Sequence, residues 1–257
     1  MDKLLDTELL HAVLKADLVG VQKAIERGAD VNSLYGNWDV FDVFDSMGLE
    51  IRDALLVART NAVLAKPPHD KWTLSYLMEE LCDLGRLDLL NKLIENGKLI
   101  QIEMSALLPV AVRAGQLAVV QRLIQAGADV NYFDGSTFVF ELDELEKFTE
   151  IRDALLDART NAVLADRGGY EERLLSQVSA LGRLDLVNKL IGKGIDVNVD
   201  KEWGCAPLHA AARAGHLAVV QRLIAAGADV DAEDCDGKAA WEECTPEIED
   251  VLLACSD

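Results

Sequence analysis

Gly204-Cys205-Ala206-Pro207-Leu208-His209-Ala210-Ala211-Ala212-Arg213-Ala214-Gly215-His216-Leu217, continuing through Ala218-Val219-Val220-Gln221-Arg222-Leu223-Ile224 to Gly227-Ala228-Asp229-Val230, is the stretch on which the fold turns. Leu217, Val220, Leu223 and Ile224 recur at helical spacing with polar residues between them, so one face of this segment is apolar. Gly227 follows the last periodic residue closely and reads as a helix stop, because glycine enters the left-handed conformation at little cost. Upstream, residues 207–213 form a second short helix built largely of small residues. Two short antiparallel helices, a glycine stop and an extended polar loop make one unit.

The unit is not alone. Glu50-Ile51-Arg52-Asp53-Ala54-Leu55-Leu56 returns one hundred residues later as Glu150–Leu156, and Arg59–Ala65 returns as Arg159–Ala165. Leu84-Gly85-Arg86-Leu87-Asp88-Leu89 returns as Leu181–Leu186. Ala114–Ile124 returns as Ala214–Ile224 with His216 in place of Gln116. Identity over such lengths marks a duplicated block of about one hundred residues, and a fixed internal period is the signature of a repeat architecture. Gly-Ala-Asp-Val-Asn stands at 28–32 and 127–131, with variants at 194–198 and 227–231.

Gly204–Ala211, Gly215-His216-Leu217 and Gly227–Val230 together closely resemble the ankyrin repeat, whose pattern is G-x-T-P-L-H-x-A, then G-H, then G-A-D-V-N over about 33 residues. Ala206 departs from the usual Thr, and the copy near 104–133 has Leu107, Leu108 and Pro109 where the last full copy has Pro207, Leu208 and His209. In the first copy Asp17 falls in the mid-repeat glycine region. The resemblance implies an all-α ankyrin solenoid, a single domain over 1–257. Its eight helix-pair units lie near 6–33, 34–66, 73–102, 104–133, 134–168, 171–199, 203–232 and 236–256. The second helices of the second and fifth units run on through 61–65 and 161–165, past the usual stop.

Composition excludes several classes. The formal charge is −20, and an electrostatic grip on nucleic acid needs a basic face, so DNA or RNA binding is not expected. Half the residues are hydrophobic, which sets the chain apart from disordered sequences. No apolar run reaches the length of a membrane span, and the acid-bearing start Met1-Asp2-Lys3-Leu4-Leu5-Asp6 is unlike a signal peptide. Cys82, Cys205, Cys235, Cys244 and Cys255 are odd in number and scattered, which fits buried or half-buried thiols in a reducing cytoplasm better than a disulfide framework. A monomer is expected. By analogy, the long irregular units and odd cysteine count also resemble ankyrin proteins that intracellular bacteria deliver into a host cell.

Phosphate-loop, dinucleotide, zinc-protease and serine-hydrolase patterns are absent, so no catalytic residue, cofactor or metal is expected. His209 and His216 fall on family positions where histidine bonds backbone between repeats; His11 lies in the equivalent first helix and His69 in the turn at 66–70. Asp229, Asp231, Glu233, Asp234 and Asp236 crowd one loop, but counting from Asp229 the places that need Gly and Glu in an EF-hand hold Asp234 and Ala240, so the calcium pattern fails.

The function expected is therefore non-catalytic recognition of a partner protein through a concave face and loop tips. Tyr35, Trp38, Tyr132, Phe133 and Trp203 fall on or beside loops joining units, where rigid aromatics are typical interface anchors. For the first four, cover by the long helices of the second and fifth units is an equal alternative; Trp203 lacks such a helix and reads as an anchor. Arg113 and Arg213 occupy matching places in first helices, able to pair with a partner carboxylate. Residues 201–257 carry a net charge of −8, favouring a partner with a basic patch and a fast encounter. Two rivals are an effector enzyme with its site on the extended helices, whose Arg52, Asp53, Arg59, Arg152, Asp153 and Arg159 include no nucleophile–base pair, and a module cut from a larger chain. Far-ultraviolet circular dichroism tests the architecture: helix should dominate, and a strand content above about a fifth, ordinary for globular proteins, would overturn it.

Overall fold

The computed structural model describes residues 3–36, 48–65, 71–97, 101–132, 139, 144–165, 171–198, 206–234 and 237–255. Apart from an isolated bridge between Glu233 and Ala239, the regular structure among the described residues is helical. The chain divides into two compact units, Met1–Ile151 and Arg152–Asp257.

The first unit holds α1 (Lys3–Leu14), α2 (Leu18–Glu26), a 3-10 turn at Val31–Gly36, α3 (Leu49–Ala65), α4 (Lys71–Asp83), α5 (Leu87–Glu95), α6 (Gln101–Arg113), α7 (Leu117–Gln125), the one-turn α8 (Glu144–Lys147) and the start of α9 (Thr149–Leu164). Helices pair α1 with α2, α4 with α5 and α6 with α7. Neighbouring pairs stack like on like, α4 beside α6 and α5 beside α7, while the long α3 packs on α2, α4 and α5. The second unit continues with the rest of α9, then α10 (Glu171–Ala180), α11 (Leu184–Lys193), α12 (Pro207–Arg213), α13 (Leu217–Ile224), a 3-10 turn at Ala240–Glu243 and α14 (Pro246–Leu253). Again α10 stacks on α12 and α11 on α13.

The apolar stripes are what make this stacking obligatory. Leu89, Leu90 and Leu93 of α5, Val119, Val120 and Leu123 of α7, and Val219, Val220 and Leu223 of α13 are almost wholly removed from water. Val220 and Leu223 lie on the stripe expected for their helix, Val219 joins them, and the expected Leu217 and Ile224 are only half-buried. A helix pair of this size cannot bury such a face without a neighbour. Gly227, expected as a helix stop, has φ +93°, and α13 ends at Ile224 just before it.

The extended helices expected near 50–65 and 150–165 are α3 and α9, 17 and 16 residues long. The partner helix expected for α3 falls largely in 37–47, outside the described residues, and that expected for α9 falls partly in 133–143, of which only Val139 is described, with the single turn α8 after it. Pro109, at the register place of His209, lies inside α6 and not at its start, because α6 begins earlier, at Gln101. The cysteine expectation needs one correction. Cys82 is buried and Cys244 half-buried, but Cys255 is exposed, as the chain leaves its last helix there. Burial pushes the Cys82 thiol up to about 12, with Asp83 and Glu79 adding to the shift, so it carries almost no thiolate at neutral pH.

The turn between the two helices of a pair needs a left-handed residue. Gly85, Gly115, Gly182 and Gly215 supply it in four pairs, but in the first pair that place is taken by Ala16, at φ +52°. Asp17 then caps α2 by accepting a hydrogen bond from Gly20 N at 3.0 Å. Ala16→Gly should therefore stabilise the first pair by about 1 kcal/mol, the left-handed penalty of a Cβ; an unchanged denaturation midpoint would show that the strain is relieved elsewhere. Leu223→Ala, at a fully buried site, should cost about 2–5 kcal/mol in the same measurement.

Candidate interaction surface

Successive units are held in register by side chains that reach back to the carbonyl of the preceding pair. In the first unit Gln116 Nε2 donates to Asp83 O at 3.2 Å; in the second, His216 Nε2 bonds Ala180 O at 3.0 Å. His209 Nε2 reaches the other way, to Lys238 O of the following unit, at 3.1 Å. A carbonyl only accepts, so Nε2 carries the proton in both histidines. These bonds need the backbones close. A Cβ on Gly85 would sit 2.4 Å from Gln116 Oε1, and one on Gly182 would sit 2.7 Å from His216 Nδ1. Along the second helices a parallel set of bonds runs from Arg122 Nε to Asn91 Oδ1 and from Arg222 Nε to Asn188 Oδ1.

On this frame the C-terminal ends of the first helices present one equivalent side chain each. In the first unit these are Leu14, Asp83 and Arg113; in the second, Ala180 and Arg213. All five residues are exposed. Arg113 is the last residue of α6. Arg213 is engaged within the chain: its guanidinium pairs with Asp234, whose side chain is fully buried and also accepts from Lys238 N at 3.0 Å.

The loop that the sequence marked as acidic is accounted for in the same way. Asp229 Oδ1 accepts from Asp231 N at 3.1 Å, a local turn repeated by Asp30, Asp129 and Asp196 in their own loops. Of the expected aromatic anchors, Tyr132 is half-buried and donates its backbone N–H to Asp129 O at 3.1 Å. Trp38, Phe133 and Trp203 lie outside the described residues, as does the side chain of Tyr35. His11 is exposed on α1, and His69 falls outside the described residues.

No sequence motif marks Tyr76, which is 47 % exposed on α4 one turn from Glu79. Its copy is too degenerate to carry the family consensus, and only the helix register shows which way it points. At the end of the same helix Asp83 is exposed as a residue, yet partial desolvation of its carboxyl pushes it up while Arg52 pulls it back.

The long helices hold their charges differently in the two units. Arg59 is fully buried in α3, with Nη1 3.6 Å from Glu80 Oε2, while Arg52 Nε lies 3.7 Å from Glu80 Oε1. In the second unit Gln177 takes the place of Glu80, and its Oε1 accepts from Arg159 Nη1 at 3.4 Å. There Arg183 gathers Asp153, Asp157 and Asp185, and its guanidinium holds the Asp185 carboxyl below the usual range. Arg86 does the same for Asp88 and also pairs with Asp53. These groups are salt-bridged scaffolding. Among the described residues no set of His, Cys, Asp and Glu side chains has the geometry to hold a metal ion, and no helix is long and apolar enough to cross a membrane.

Stacked helix pairs with glycine-stopped loops and side-chain-to-carbonyl ties define a repeat protein of the ankyrin class. The family model for the ankyrin repeat matches at residues 103–135, and the model for ankyrin repeats (3 copies) matches at 175–249. Protein phosphatase 1 regulatory subunit 27 of Mus musculus is 30% identical over 112 residues, which is 44% of this chain and 68% of that protein. The chain belongs to the ankyrin repeat family. It is also similar to Ankyrin repeat domain-containing protein 49 of Homo sapiens, 48% identical over 61 residues, 23% of this chain and 26% of that protein. Putative palmitoyltransferase ZDHHC13 of Danio rerio is 33% identical over 132 residues, 51% of this chain but only a fifth, 20%, of that protein.

Asp83 generates a pH-dependent test. Its folded pKa lies above the unfolded carboxylate value of about 3.9, so the native state binds this proton more tightly and loses stability as pH rises through that window. Its place at a helix C-terminus acts in the same direction. Asp83→Asn should raise the Tm at pH 7 and leave it unchanged at pH 3; an equal shift at both would trace the effect to packing instead of charge.

Proposed function

We propose that this chain is a non-catalytic recognition protein that binds a partner protein through the exposed ends of its first helices and the loops between units. One observation carries the reading. At five equivalent places the buried frame repeats while the exposed side chain changes, from Leu14 to Asp83, Arg113, Ala180 and Arg213. A surface that varies over a constant scaffold suits selective contact, and ankyrin repeats generally serve as protein–protein interaction modules. The loop aromatics Trp203, Tyr132, Phe133, Tyr35 and Trp38 are the proposed anchors, with Arg113 and Arg213 beside them. Arg213 would take a partner carboxylate only by giving up its ion pair with the buried side chain of Asp234, which makes Arg113 the stronger contributor.

The partner fitted to this protein carries a basic patch. The net charge of −20, with −8 in residues 201–257, raises the encounter rate with such a surface more than it deepens the affinity. A reducing cytoplasm suits the scattered thiols, and action as an effector inside a host cell is the narrower form of the same proposal. The long helices supply no nucleophile–base pair from their arginines and aspartates, which supports a binding role over an enzymatic one.

Affinity capture with mass spectrometry, followed by titration of the captured protein at two salt concentrations, tests the proposal. A stoichiometric partner whose association slows with salt supports it; turnover of a small molecule by the pure protein overturns it. Trp203→Ala should weaken that binding by about 2 kcal/mol or more while leaving the Tm unchanged. A lowered Tm with full affinity would mean that the chain itself covers this side chain.

A further inference from the structure

We draw no further inference here: the strongest candidate, the exposed face of α4 where Tyr76 stands beside Glu79 and Asp83, is one aromatic within an acidic cluster, and nothing in the structure shows what covers it.

Discussion

A helix of nine residues with one apolar face has no stable existence in water, and every other feature of this protein follows from that constraint. Leu89, Leu90 and Leu93 on one such helix, and Val119, Val120 and Leu123 on the next, are withdrawn from water because like helices stack on like. Stacking at this distance leaves no room for a Cβ at several of the turns. Hence the glycine at 85 under Gln116, and the glycine at 182 under His216. Closeness then makes the side-chain-to-carbonyl bonds possible, and those bonds fix the register that packing alone would let slide.

The duplicated long helices show how one sequence is accommodated by two surroundings. From 50 to 65 and from 150 to 165 they differ only at Val57 and Asp157. Yet α3 inserts Arg59 and Arg52 around a nearly sealed carboxylate, Glu80, whereas the equivalent Arg159 meets the neutral Gln177. A sealed carboxylate between two guanidiniums is costly to break, since removing one partner strands buried charge. The second unit places an additional carboxylate, Asp157, at its rim on the half-exposed Arg183, where salt screens it and the energy at stake is small. The two helices are nearly the same; their holding differs because Glu80 of α4 is replaced by Gln177 in α10, and because Val57 is replaced by Asp157 within the long helix itself.

The display surface is a by-product of the same economy. Residues that face neighbours are bound to apolar chemistry and close contact. The last residue of each first helix faces water and is released from both demands, which is why that place holds Leu, Asp, Arg and Ala by turns. The family relationship follows the same division: matches at 103–135 and 175–249 lie where the framework residues are most regular, and the degenerate copies around the long helices fall outside them.

The sequence by itself determined the architecture. Helical periodicity, glycine stops and the internal duplication are local properties of the chain, and so they were readable along it: five helix pairs, at 3–26, 71–95, 101–125, 171–193 and 207–224, the two extended helices and the histidine ties stand where the spacing puts them. It also marked Arg113 and Arg213 as equivalent. What it did not contain is which of these equivalents is engaged. Arg213 is tied to Asp234, twenty-one residues on, by a loop that folds back over α12. Tyr76 is exposed only because of the register in which α4 meets its neighbours, and Ala16 is forced left-handed by a turn geometry that four other pairs satisfy with glycine. Such outcomes depend on distances between residues far apart along the chain, and only the packed tertiary structure sets those distances.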